Sequence, residues 1–295
     1  MKIVLIGTVR FSERMLQKLI AIGADVVGVI TAPNSGFNAD YAELSRVCAG
    51  LGIDCHVTKD ANDSTTLEWL GNKHADVVFC LGWSSLLKEE LLALPRLGVV
   101  GFHPAALPKN RGRHPLIWAL VLGLNETAST FFMMDKGADS GDILSQVKIE
   151  IDPDDDAQSL YSKVEQEAEQ QLVTLVDDFQ RATYTRKPQD ESQASYWRKR
   201  SRKDGVIDWR MSARSIHNLV RGLSRPYCGA EFEQGGESYS VWRSRVVNID
   251  NSHDIEPGKV VDVNEQGNTI VRCGEGCLEL IEVEPSLALE KGSYL

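Results

Sequence analysis

The sequence predicts an α/β protein, a doubly wound, mostly parallel sheet followed by a small β-barrel-like domain. Three observations carry that expectation. Up to Phe102, short apolar runs alternate with segments of helical spacing, the mark of repeated βαβ units. Beyond Ala230 the helical spacing gives way to short strand-like runs broken by glycine turns. Between these parts, residues 181–204 are polar, charged and without periodicity.

The elements run in order along the chain. Lys2–Ile6 is a buried-strand run turned by Gly7-Thr8, and Ser12 is placed to cap a helix reaching Ile22. Asp25–Thr31 is a second strand. Residues 41–51 carry Leu44, Val47, Cys48 and Leu51 at helical spacing, and Cys55–Val57 is a short strand. Residues 65–70 read as a short helix, 75–81 as a buried strand, 86–94 as a helix and 98–102 as the next strand. Residues 115–124 form a helix with Pro115 at an early, tolerated position. A second apolar run, 129–134, stops at Asp135. The acids of Asp152-Pro-Asp-Asp-Asp156 suit the start of a long amphipathic helix over about 157–179. A short helix ends at Leu223, and strands come after it at 230–232, 238–243, 258–263, 269–272 and 277–283. The boundary near 195–205 divides the chain into 1–198, with the linker, and a β-rich, OB-like 199–295.

Composition narrows the function classes. The 42% hydrophobic content supports real cores, and 25% charged residues is ordinary for a soluble protein. A net charge of -10 demands a strongly local basic patch before any phosphate backbone could bind. The six cysteines, at 48, 55, 80, 228, 273 and 277, form no CxxC pair and read as reduced, buried thiols. Cys273 and Cys277 are half of a metal pattern without its second half, so no metal is expected. Charges at Arg10 and Glu13 interrupt the apolar N-terminus too early for a signal peptide, and no run reaches the ~18 residues of a membrane span, so a cytoplasmic location is expected. Gly7-Thr-Val-Arg-Phe-Ser12 lacks GxGxxG, which argues against a bound dinucleotide.

The chemistry concentrates between Val99 and Ile143. One apolar run stops at His103, and Pro104, Pro108, Gly112 and Pro115 break regular structure in the segment beyond it. The other leads into a glycine-rich turn holding Asp139 and Asp142. A histidine beside a carboxylate at the edge of an open sheet is equipment for moving protons near neutral pH. The alternative for His103 is a satisfied histidine at a strand end.

Gly101-Phe-His103, Leu107-Pro-Lys-Asn-Arg-Gly112 and Gly137-Ala-Asp-Ser-Gly-Asp142 resemble the signature of the N10-formyltetrahydrofolate-dependent formyltransferases: Asn-x-His, a Leu-Pro-x-x-Arg-Gly loop, and a Gly-x-Asp-[Ser/Thr]-Gly-Asp turn. The separation of His103 from Asp139 equals the family's. Asp204-Gly-Val-Ile-Asp-Trp209, Ile216-His-Asn-Leu-Val-Arg221 and Arg225-Pro-Tyr-Cys-Gly-Ala230 look like the family's passage into its C-terminal domain, so the resemblance covers nearly the whole chain. It implies a methionyl-tRNA formyltransferase-like fold, N10-formyltetrahydrofolate as co-substrate, and transfer of its formyl group to an amine. His103 matches the catalytic histidine, and Asp139 matches the aspartate that orients it. Asp142 is open between a folate-side role and bonding turn amides. Leu81, Gly82, Trp83 and Leu87 match the loop whose backbone binds the pterin-like head, and Trp83 either stacks on a flat ring or packs the loop.

One departure stands out. The family's Asn, an oxyanion donor, is Gly101 here, and losing such a donor typically costs ~10²–10³ in rate. Asn110 or a water could fill the gap, the close approach that glycine allows could serve another substrate pose, or the protein is a weak or non-catalytic binding relative.

Charge points to the acceptor. The tRNA-formylating members carry a basic insertion after the second strand, whereas residues 31–45 here hold no Lys or Arg. The cluster Arg198, Lys199, Arg200, Arg202 and Lys203 reads as a solvated face that could hold a diphosphate but not a tRNA track. The loop and junction motifs look closest to the enzymes of nucleotide-linked amino sugars, including the one that formylates UDP-4-amino-4-deoxy-arabinose. The expected partner is therefore a nucleotide-linked amino sugar of surface-polysaccharide biosynthesis, with neither nucleic acid nor membrane. Arg111 and Arg113 could reach its phosphates, and Tyr227 could stack on its base or pack the domain junction. His114 reads as a helix-start residue. The β-rich tail suits a homodimer contact as well as acceptor binding. A methionyl-tRNA formyltransferase and a formyl-folate hydrolase are the competing activities.

Overall fold

The structure, a computed structural model, describes residues 1–34, 40–249 and 254–295. The stretch 31–45, expected to lack the basic insertion, includes residues 35–39, which lie outside the described residues. The chain forms β1 (Lys2–Ile6), α1 (Arg10–Ala21), β2 (Asp25–Thr31), α2 (Leu44–Leu51), β3 (Cys55–Val57), α3 (Ser64–Lys73), β4 (Val77–Cys80), α4 (Glu89–Leu92) and β5 (Val99–His103). It continues through β6 (Arg111–Gly112), α5 (Pro115–Val121), β7 (Glu126–Met133), β8 (Ile143–Glu150), α6 (Ala157–Arg181), β9 (Tyr196–Trp197) and α7 (Ala213–Leu223). Five strands complete it: β10 (Ala230–Gln234), β11 (Glu237–Val247), β12 (Val260–Val263), β13 (Thr269–Arg272) and β14 (Cys277–Glu284).

The chain divides into two compact units. The first is Met1–Pro115, Thr127–Ile149 and Ser162–Trp197. The second is mainly Arg198–Leu295, but it also takes in Leu116–Glu126 and Glu150–Tyr161, which the sequence reading assigns to the first domain. The first of these segments joins the distant core through Ile117 and Val121, and the second bonds Ser224 and Arg221 through the Ala157 amide and the Asp152 and Asp155 carbonyls, partnerships that carry no local signal.

The first unit is built on a seven-stranded sheet in the order β3-β2-β1-β4-β5-β7-β8. β1 pairs in parallel with both β2 and β4, so the strand order reverses beside β1 and leaves a crevice at the carboxyl ends of β1 and β4. Val4, Ile6, Val78 and Val99 bury one face of the sheet against Leu70 and Leu91. α1 starts two residues before the predicted cap. Ser12 lies inside the helix, where its hydroxyl accepts from the Val9 amide (3.2 Å) and donates to the Leu81 carbonyl (2.5 Å).

β7 runs antiparallel to β5, with Val100 opposite Met133 and His103 opposite Thr130. The apolar run of β7 therefore ends beside the start of β5, not beside His103. The sequence reading places both strand ends at one edge. It cannot see strand direction, because hydrophobic pattern is the same read either way. The sequence reading also misses β8, because polar Ser145 and Gln146 interrupt its apolar pattern.

In the second unit, α7 lays Ile216, Leu219, Val220 and Leu223 on the apolar face of an antiparallel sheet in the order β10-β11-β14-β13-β12. Gly235 and Gly236, with φ of 62° and 85°, form the two-residue turn between β10 and β11 that needs positive φ at both positions. Among the described residues, no helix is long and apolar enough to cross a membrane.

The cysteines divide by environment. Burial pushes the Cys80 and Cys273 thiols up to about 12, whereas Cys228 is exposed and Cys55 half-buried, contrary to the expectation that all six are buried. Because the thiolate is the reactive form, a thiol-specific chromogenic reagent should label native protein fastest at Cys228. Cys228→Ser should remove that phase, and Cys80 and Cys273 should react only after denaturation.

Candidate active site

β5 delivers His103 at its carboxyl end with only 4% of the residue exposed. Its surroundings are satisfied locally: Thr130 donates to the Ala105 carbonyl, and Gln146 donates to both the Leu107 carbonyl and the Thr130 hydroxyl. The chain then curls through Pro104 to Asn110, where the carbonyl of Asn110 accepts from Nε2 of His103 at 2.7 Å. A carbonyl can only accept, so Nε2 carries the proton and the tautomer is fixed. Nδ1 is left facing Oδ2 of Asp139 at 3.6 Å. That distance is long for a direct hydrogen bond but within ion-pair range, the loose geometry common before substrate closes a site.

Asp139 reaches this position only because the turn after β7 folds back. It must return along some three strand residues, roughly 10 Å, from the level of Val100 to that of His103. Met133 donates to the Asp142 carbonyl at the base of the turn. A Cβ on Gly141 would stand 1.7 Å from the Met133 carbonyl oxygen, so glycine is required where the turn doubles back. Asp139 itself sits at φ 56°, a left-handed conformation that aspartate tolerates better than most residues. Its Oδ2 also accepts from the Gly112 amide at 2.9 Å. Asp135 bonds groups of the turn: its Oδ1 accepts from the Gly137 amide and the Ser140 hydroxyl.

Gly101 lies on β5 directly opposite Phe132. A Cβ there would meet Met134 Cγ and Phe132 Cζ, both at 2.8 Å. The room that an Asn would need is filled by an aromatic ring and a thioether, and Phe132 and Met134 pack on with Leu107 as one apolar cluster. Asn110, by contrast, has its backbone amide and its side-chain oxygen both bonded to the Ser195 hydroxyl, at 2.9 and 3.3 Å. With its Oδ1 engaged there, its side-chain NH₂ remains as a donor.

The 81–87 loop sits at the crevice beside β1. Leu81 and Leu87 are buried, and Leu81 bonds Ile6 through its amide and Ser12 through its carbonyl. The Gly82 carbonyl accepts from the Thr8 hydroxyl. Trp83 is the exception. Its ring packs against the core that also meets Met134, and its Nε1–H is buried without a partner among the described residues. A buried indole N–H normally finds an acceptor, so this donor is open to one on a ligand or a water.

The residues assigned to phosphate recognition fare differently. Arg113 is exposed and donates to the Ser84 carbonyl at 2.6 Å, joining the two loops of the site. Arg111 has no exposed surface. Its guanidinium donates to Gln189 Oε1 through Nε and Nη2, to both Glu191 oxygens, and to the Tyr196 hydroxyl. Pairing with Glu191 raises its pKa further, and no N–H is left for a phosphate. Tyr227 packs, half-buried, on the core of the second unit. The basic cluster is not a free cationic face: Arg198 pairs with Asp204 and Arg202 with Glu231, and Arg200 is buried over the Trp118 ring. Sequence reasoning missed Gln189, Glu191 and Ser195 because nothing in a polar linker announces long-range partners. A cleft of about 530 Å³ between α1 and α6, lined by Arg14, Glu165 and Glu169, lies apart from these residues.

The arrangement suits transfer chemistry that moves a proton and develops charge beside a buried imidazole–carboxylate pair. Comparison with known proteins agrees. Residues 1–176 match the formyl transferase family model, and residues 199–288 match the formyl transferase C-terminal domain model. Among solved structures, WlaRD, a sugar 3N-formyl transferase solved with dTDP and 5-N-formyl-THF, is 20% identical over 97% of this chain and 99% of its own, with a TM-score of 0.70. An N-formyltransferase from Helicobacter canadensis, complexed with folinic acid and dTDP-3-aminofucose, is 17% identical over 95% and 98%, with a TM-score of 0.70. Methionyl-tRNA formyltransferase from Clostridium thermocellum is 15% identical over 96% and 99%, with a TM-score of 0.62. Two family models that together cover most of the chain place it plainly: this protein belongs to the formyl transferase family and is a formyltransferase.

Proposed function

We propose that this enzyme moves the formyl group of N10-formyltetrahydrofolate to the amine of a nucleotide-linked amino sugar, the chemistry of surface-polysaccharide precursors. The observation that carries the reading is the approach of His103 to Asp139 at the crevice edge, in a chain of this family. Relatives described as sugar formyltransferases, with dTDP or a dTDP-sugar bound, support the acceptor class. So does the pairing of Arg198 and Arg202 with acids, which leaves little for a tRNA backbone to grip. A folate co-substrate fits the orphan Nε1–H of Trp83 and the partly exposed Met134 side chain. When bound it supplies an activated formyl carbon.

The chain's own residues then have three tasks. Formyl transfer to an amine builds negative charge on the formyl oxygen and releases a proton from nitrogen. His103 is oriented by the Asn110 carbonyl, so a proton arriving at Nδ1 is met by the Asp139 carboxylate. Asp139 is kept in place by the Gly112 amide. With Gly101 covered by Phe132 and Met134, the side-chain NH₂ of Asn110, steered by Ser195, takes the donor role that the family gives to its Asn.

Purified enzyme with formyl-folate should add one formyl mass to a member of a panel of nucleotide-linked amino sugars, and His103→Ala should abolish the product. No product from the whole panel, with the folate still bound, would sink the acceptor assignment; formate release without acceptor would identify a hydrolase instead.

Asn110 sits at φ 64°, so Asn110→Gly removes the amide without straining the backbone. It should lower kcat by ~10²–10³, and unchanged turnover would free Asn110 of the role. Gly101→Asn should not raise turnover and should lower stability by about 1–3 kcal/mol through overpacking against Phe132, read by urea denaturation.

A further inference from the structure

The loop that follows His103 and the turn that carries Asp139 have no regular pairing with each other, yet both are tied to a third segment. Residues 189–197 run alongside β6: Tyr196 pairs with Arg111 and Trp197 with Gly112 as parallel strands. Ser195 bonds Asn110, the residue whose carbonyl holds His103. A Cβ on Gly112 would stand 2.3 Å from the Trp197 carbonyl oxygen, so this contact is as close as backbones come.

The other hand of the same segment is Gln189. Its Nε2 donates to the Asp139 carbonyl at 2.8 Å and to the Gly141 carbonyl at 2.7 Å. Its Oε1 accepts from Arg111 Nη2 at 2.8 Å and Nε at 3.2 Å. Every bond is polarity-matched. Reversing the amide would set NH₂ against a guanidinium and oxygen against two carbonyls, so the orientation is determined by its partners. Arg111 in turn is buried and cannot move, since Glu191 and Tyr196 take its remaining N–H groups.

We propose that Gln189 is a positioning residue for formyl transfer, clamping the folded-back Asp139 turn to the Arg111 side of the His103 loop and so setting the gap between carboxylate and imidazole. The proposal rests on the formyl-transfer reading for its catalytic consequence, but the clamp itself is a property of the free protein. The turn needs such a restraint. Asp139 is a non-glycine residue in the left-handed region, and the loop must return along the strand it has just left. Gln189 holds the carbonyl of that same residue, opposite the side chain that the Gly112 amide holds. A misplacement near 1 Å at a reacting group is enough to cost about 10²-fold in rate.

Two substitutions separate clamp from bulk. Gln189→Glu keeps an acceptor for Arg111 but replaces the one NH₂ that serves both carbonyls with an oxygen facing them, and Gln189→Met keeps the length without polarity. Two readouts are taken on each, together with the thermal midpoint to confirm folding. Backbone amide exchange at Gly112 reports Asp139 Oδ2 without any substrate. It should accelerate about 10-fold in both variants, while the amides of β1 stay unchanged. Steady-state kinetics on the acceptor sugar should show kcat down about 10²-fold with KM within about twofold. Unchanged exchange at Gly112 overturns the clamp, and accelerated exchange with undiminished kcat overturns its catalytic role. If the unsubstituted enzyme formylates no amino sugar, the acceptor reading falls, and the Gly112 exchange alone still decides whether Gln189 holds the turn.

Discussion

The site depends on one constraint of chain direction. β7 lies antiparallel to β5, so the carboxylate beyond the end of β7 starts from the wrong end of its neighbour and must be brought back to His103. Several local features of the turn serve that return. Gly141 admits the fold-back over Met133, Asp139 accepts a left-handed backbone, Asp135 ties the turn to itself, and Gln189 and the Gly112 amide hold it from either side. Strain of this kind persists only where surrounding bonds over-determine it.

A buried arginine is the fixed point of that arrangement. Removing a guanidinium from water costs several kcal/mol unless each donor is matched, and Arg111 meets the condition in full through Gln189, Glu191 and Tyr196. Breaking one partner would leave buried polarity uncompensated, which makes the network rigid as a whole. Glu191 contributes from the surface, its carboxyl held below the usual range by Arg111. A residue type that suggests phosphate recognition thus serves as internal scaffolding, and Arg113, two positions on, is the one left at the surface.

At position 101 the family's Asn is replaced by a residue without a side chain, and Phe132 and Met134 pack into the space. In the proposed mechanism the donor role passes to Asn110 on the adjoining loop, which already contacts His103 through its own carbonyl. The basic cluster after Trp197 is matched within the chain: Arg198 and Arg202 pair with Asp204 and Glu231 at the surface, and Arg200 is buried over Trp118.

From the sequence alone, the alternating sheet, the β-rich tail and the motif residues His103, Asp139 and Gly101 are legible, because periodicity, turn residues and short motifs are local in the chain. By local pattern, Arg111 reaches for phosphates and residues 181–204 are a linker. Tertiary structure gives both a different part, since burial and hydrogen-bond partners are set by residues some 80 positions away. Strand direction belongs to the same class. A hydrophobic run carries no arrow, so only the folded chain determines that Asp139 must travel back to its histidine, and which side chains keep it there.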